Sequence, residues 1–181
     1  MTAASPGDQR AALARDLVAA AVLHGQFTLR SGAVSSYYID KYRLTTEPVL
    51  LSRITDALLP LLPQGASRIA GTALGAVPLA TALSLRTGLP AVFVRADAKE
   101  YGTAKAVEGA LLAGDAVVLV EDVVTTGGAS LKAVAALRDA GTQVLGVLAV
   151  VDREQGGPGR FAEAGVPFRA LFTSSELGLA E

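Results

Sequence analysis

The chain has 181 residues, of which 51% are apolar and only 18% charged, and 16 Lys and Arg against 17 Asp and Glu leave a net charge of −1. A disordered chain has the reverse balance, and a nucleic-acid binder working through bulk positive charge needs a surplus this chain lacks. The absence of cysteine rules out disulfides and thiolate zinc sites, and a single histidine rules out a multi-histidine metal centre.

From the N-terminus, Asp8 to His24 reads as a helix, with Leu13, Leu17, Val18, Ala21 and Val22 at helical spacing and Gly25 as its stop. FTLR (27–30) and YYID (37–40) read as two short strands joined by a turn-rich hairpin. Glu47 to Leu61 reads as a second helix, ended by Pro60 and Pro63. A different rhythm follows. Arg68–Gly71 is a strand, Ala76–Arg86 a helix and Pro90–Arg95 a strand. Ala116–Val124 is an unbroken apolar strand closed by acids. Gly128–Ala140 is a helix and Gln143–Asp152 a further strand. The tail from Phe172 reads as one last helical turn. Strands alternating with helices predict an α/β fold, a parallel twisted sheet with helices on both faces.

The greasiness does not predict a membrane span. The longest apolar stretch, Ile69 to Leu85, is interrupted by Gly71, Gly75 and Pro78, and a spanning helix needs about 20 apolar residues. The first residues lack the charged-then-apolar pattern of a signal peptide, so the expectation is a soluble, cytoplasmic protein of one domain. The segment 95–105 is the exception in charge, with five charged residues in eleven and no helical period, as in a functional loop.

The strongest chemical signal is VVLVEDVVTTGGAS, 117–130. A buried strand delivers Glu121 and Asp122 near its C-terminal end, where ligands sit in open α/β sheets. Thr125, Thr126, Gly127, Gly128 and Ala129 then turn into a helix, and glycine-freed amides with a helix N-terminus hold an anion. A phosphate on the loop, with vicinal hydroxyls on the acids, describes a ribose 5-phosphate. There is no GK[ST] and no GxGxxG, so neither a P-loop nor a dinucleotide fingerprint is present.

This pattern resembles the ribosyl-phosphate signature of the type I phosphoribosyltransferases. Three more segments, in order, resemble the orotate phosphoribosyltransferases: FTLRSGAVSSYYID as an N-terminal hood, RADAKEYGTAKAVEG as a catalytic lid and VVDREQGG as a late Asp-Arg motif. The resemblance implies a single domain over 1–181, with residues 1–45 as a hood over the base site. It implies transfer of a phosphoribosyl group from 5-phosphoribosyl 1-pyrophosphate to orotate, giving orotidine 5-monophosphate in pyrimidine biosynthesis. Magnesium would be carried mainly by the pyrophosphate rather than held by a protein metal site. A homodimer that shares its lid across the interface is implied too, with no nucleic-acid or membrane partner.

The resemblance assigns roles residue by residue. Glu121 and Asp122 take the ribose, and Thr125 to Ala129 the 5-phosphate. Arg30, Thr125, Arg153 and Tyr38 take orotate, with Tyr37 a second candidate to cover its ring; a guanidinium fork suits a carboxylated pyrimidine anion. Lys99, with Arg95 at the lid base and Tyr101 as a donor, neutralises the leaving pyrophosphate, since substitution at an anomeric carbon builds opposite charges on sugar and leaving group. Two departures stand out. Ala96 occupies a place where the family commonly has Lys, so that either the rate suffers or another cation, such as Lys105, substitutes, and the pyrophosphate loop Gly71–Ala76 carries no charge at all. His24 is read as structural. The alternatives are transfer to another base, such as a purine, and a non-catalytic regulator that binds ribosyl phosphate.

Overall fold

The computed structural model describes residues 5–28, 34–95 and 106–179. Ser5 and Asp8 form a reciprocal cap that starts α1 (Pro6–Ala21). Leu13, Leu17 and Ala21, one turn apart, are its buried stripe. The helix stops three residues before the predicted end. Val22, Leu23 and His24 pair instead with Ile39, Tyr38 and Tyr37, so β1 (Val22–Thr28) and β2 (Val34–Ile39) form an antiparallel hairpin. Strand pairing here overrides the helical period.

A short helix that was not predicted, α2 (Lys41–Thr46), comes next and is capped by Asp40. The predicted second helix is α3 (Pro48–Leu58), started by the Glu47 carboxylate, which accepts from the Leu50 amide at 2.7 Å. Residues 59–61 add a 3₁₀ turn at Pro60.

The remaining chain builds a six-stranded sheet. Its strands are β3 (Arg68–Thr72), β4 (Ala91–Val94), β5 (Val107–Glu108), β6 (Ala116–Val124), β7 (Gln143–Asp152) and β8 (Phe168–Thr173). The spatial order is β5-β4-β3-β6-β7-β8, parallel except for the short edge strand β5. The helices are α4 (Val77–Thr87), α5 (Gly128–Asp139) and α6 (Gly157–Glu163). The tail begins later than predicted: Phe172 and Thr173 end β8, and a hydrogen-bonded turn follows over 174–178, with the Leu177 amide donating to the Thr173 carbonyl at 3.2 Å.

The pleat of β6 divides the core. Val118 and Val120 face Leu17, Leu44, Ile54 and Leu79 of α1 to α4. Val117 and Leu119 face Val134 and Leu137 of α5 and Phe161 of α6. Helices therefore cover both faces, as a parallel sheet requires. Among the described residues no helix is long and apolar enough to cross a membrane.

Candidate active site

Parallel pairing brings the C-terminal ends of β3, β4, β6 and β7 to one edge of the sheet. Successive residues of a strand point to opposite faces, so the two acids of β6 do not share surroundings. Glu121 points to the α5 side. One of its oxygens accepts from the Thr72 hydroxyl of β3 at 2.5 Å, the other from the Ser130 hydroxyl of α5 at 2.7 Å. Burial pushes its carboxyl up to about 7, opposed by these two hydroxyl bonds and reinforced by the Asp122 charge.

Asp122 points to the α2 side. Its Oδ1 accepts from the Val123 amide at 2.6 Å. Its Oδ2 is buried with no hydrogen-bond donor among the described residues, and the Lys41 ammonium stands 3.5 Å away. Gly75 makes this placement possible: a Cβ there would lie 1.7 Å from Oδ2. A buried carboxylate oxygen without a donor is costly, and a ligand hydroxyl would satisfy it.

Beyond Val124 the chain turns into α5 through Gly127, whose φ of 75° favours glycine. No side chain caps α5. The amides of Gly128, Ala129 and Ser130 therefore start the helix without capping acceptors. Thr125, Thr126 and Ala129 are exposed beside them. Arg160 of α6 lies at the same loop, its guanidinium 3.4 Å from the Thr126 carbonyl. Exposed hydroxyls, uncapped amides and a guanidinium make an anion site.

Arg153 follows β7 directly, and its amide donates to the Val124 carbonyl at 2.8 Å. Its guanidinium is buried, lies 4.6 Å from the Tyr37 ring centroid and reaches the Ser35 hydroxyl at 3.4 Å. The Tyr37 hydroxyl shares a hydrogen bond with Ser174 after β8, at 3.3 Å. The hairpin is thus fastened over the end of β7. Tyr38 is on the other face of β2, 41% exposed, with its ring against Phe27. Of the two tyrosines, Tyr37 is the one the structure brings to Arg153.

The match to known proteins follows this layout. A phosphoribosyl transferase domain model matches residues 63–159, which span β3 to α6. The orotate phosphoribosyltransferase of Nocardioides sp. is 46% identical over 170 residues, 94% of this chain and 95% of that one. The chain belongs to the orotate phosphoribosyltransferase family. Among solved structures, the Aeropyrum pernix orotate phosphoribosyltransferase is 38% identical, with a TM-score of 0.84 over 91% of this chain and 95% of that one. The Mycobacterium tuberculosis orotate phosphoribosyltransferase, solved in complex with 5-phospho-α-D-ribosyl 1-diphosphate, is 34% identical, with a TM-score of 0.80 over 94% of this chain and 99% of that one.

The other residues singled out from the sequence divide simply. Arg30, Ala96, Lys99, Tyr101 and Lys105 lie outside the described residues. Arg95 is described at the end of β4. Its amide donates to the Ala106 carbonyl at 2.9 Å, and its guanidinium is 3.9 Å from Glu108 on β5. Arg95 therefore ties the end of β4 to Ala106 and β5. In the loop between β3 and α4, the Ala73 amide donates to Val94, Ala76 to Thr72 and Val77 to Leu74, and the Ala73–Leu74 peptide is cis. The Leu74 and Gly75 amides have no acceptor among the described residues.

Sequence reasoning missed Lys41, Thr72 and Arg160, while Ser130 lies inside the motif read for its hydroxyl donors but donates to Glu121. Thr72 carries a signal in hindsight, as a hydroxyl at a strand end beside Gly71. Lys41 carries only its place directly after a strand and a capping Asp40.

Proposed function

We propose that orotate and 5-phosphoribosyl 1-pyrophosphate react in the cleft at this sheet edge, with the chain's residues in the following roles. The carrying observation is the convergence of an acid with an open oxygen, an uncapped anion loop and a buried guanidinium on two adjacent strand ends, those of β6 and β7. The loop from Thr125 to Ala129 holds the 5-phosphate. Asp122 accepts from the ribose hydroxyls. Glu121, through Thr72 and Ser130, sets the spacing of the two anion loops.

Arg153 takes the charged edge of orotate, with Ser35 and Tyr37 fixing its plane, and Arg30, Thr125 and Tyr38 complete the base site under the hood of residues 1–45. An orotate ring nitrogen attacks the anomeric carbon and gives up its proton to solvent, the carbon's bond to the pyrophosphate oxygen breaks, and pyrophosphate leaves with both electrons. Lys99, Arg95 and Tyr101 stabilise that leaving charge.

Magnesium enters on the pyrophosphate in this reading. Among the described residues no three His, Cys, Asp or Glu side chains gather to hold an ion. The donor set nonetheless suits a hard cation, because Asp122 Oδ2 is an anionic oxygen without a hydrogen-bond donor. The ion would spread the charge of the leaving group. The same reading has a cytoplasmic homodimer whose lid serves the neighbouring site. Mixing Lys99→Ala chains with Asp122→Asn chains restores part of the activity if the lid is shared, and none if it is not.

The direct test follows orotate absorbance with donor and magnesium. Loss of absorbance supports orotate as acceptor. No loss with orotate, and turnover with a purine, moves the chain to another base. Donor binding without any turnover makes it a regulator.

A further inference from the structure

We infer that Lys41 supplies the cation for the donor's diphosphate, a group that the loop between β3 and α4 meets with no charged side chain of its own. The inference rests on the proposed reaction for the presence of a diphosphate, and on the structure for everything else.

A diphosphate brings several negative charges to residues 72–76. That segment offers the Leu74 and Gly75 amides, and its side chains are Thr, Ala, Leu and Ala around one glycine. Amides alone are weak partners for so much charge. Lys41 is placed to add what they lack. Asp40 caps α2 and so fixes Lys41 as the first helical residue. Buried Leu44 and Thr45 anchor the same short helix to the core.

From there the lysine stem runs to the loop. Its Cδ would lie 3.3 Å from a Cβ placed on Gly75. Asp122 Oδ2 takes the space of a Gly75 side chain, and the lysine stem borders it. The ammonium ends 3.5 Å from Asp122 Oδ2 and 5.7 Å from the Tyr42 ring centroid. The lysine side chain keeps 39% of its exposure, whereas Asp122 keeps 5%. One end of the pair is thus fixed and the other faces the cleft. When ribose hydroxyls donate to Asp122, they take the place of the ammonium there. Lys41, on a flexible stem beside the loop, then meets the diphosphate.

A purely structural role, neutralising Asp122, makes a different prediction, and two titrations separate the two. Lys41→Met keeps the stem and removes the charge. Inorganic diphosphate with magnesium is titrated into wild type and variant, and so is orotidine 5-monophosphate, which has ribose and phosphate but no diphosphate. We expect at least a tenfold loss of diphosphate affinity, with nucleotide affinity held within threefold. Lys41→Arg should recover most of the loss. In steady state the KM of the donor should rise at least tenfold while that of orotate stays within threefold. Unchanged diphosphate affinity, or equal losses for both ligands, would overturn the inference. If Lys41→Met does not fold, Lys41→Gln carries the same titrations. Neither titration uses orotate, so a failure of the base assignment leaves this test standing, and its failure leaves the base assignment intact.

Discussion

Glu121 and Asp122 are neighbours on one strand with the same chemistry, yet the fold gives them opposite circumstances. On the α5 side, both Glu121 oxygens are satisfied by hydroxyls from two other elements, and burial lifts its carboxyl toward neutrality. On the α2 side, Asp122 keeps one oxygen without a donor, beside a lysine and a glycine. The first arrangement holds the frame, and the second leaves an acceptor for the ribose hydroxyls of the proposed reaction. The pleat of a strand is enough to separate the two jobs, because alternate residues face alternate layers.

The largest effect that can break this contrast is expected at Asp122. Asp122→Asn removes an anionic acceptor from the ribose, and turnover should fall about 100-fold or more, with donor and nucleotide binding weakened alike. Steady-state rates and calorimetric titration check it, and loss of only one ligand would remove the ribose role. Next comes Arg153→Ala, which withdraws a buried guanidinium and should raise the KM for orotate by roughly tenfold or more. The donor KM should move little, and equal shifts in both would count against base recognition.

Glu121→Gln should act on the fold instead, at a cost of about 1 kcal/mol from weaker hydrogen bonds to Thr72 and Ser130. Its pH signature is sharper than its size. A carboxyl raised from 4.5 to about 7 on folding binds more protons when folded, so wild-type stability declines as pH rises through that interval. The melting temperature of Glu121→Gln, compared with wild type across the same interval, should lack that decline. Parallel profiles would show that Glu121 is not the group responsible.

Much of this layout was legible because it is local. An apolar run, two acids, two threonines and two glycines are contiguous, and they became β6, the turn and α5 with the boundaries close to those predicted. Arg153 was legible for the same reason, as the residue after a strand. What failed was decided by distant partners. Val22 to His24 fit the helix period, and only pairing with β2 made them a strand. No element was predicted over 157–163, which is α6, with proline sitting acceptably in its first turn. The two acids were read alike because the sequence places them side by side; their separation needs Thr72, Ser130, Lys41 and Gly75, all contributed from outside β6. Lys41 was invisible as a site residue until α2 carried it across to Asp122.

The central claim is that adjacent acids divide binding from framework, and one paired experiment reaches it directly. The donor is titrated, with magnesium, into Asp122→Asn and Glu121→Gln at one pH, with the melting temperature of each recorded. The account predicts at least a tenfold loss of donor affinity in Asp122→Asn with little change in melting temperature. For Glu121→Gln it predicts affinity within threefold of wild type and an altered melting temperature. Equal loss of donor affinity in the two variants would contradict it.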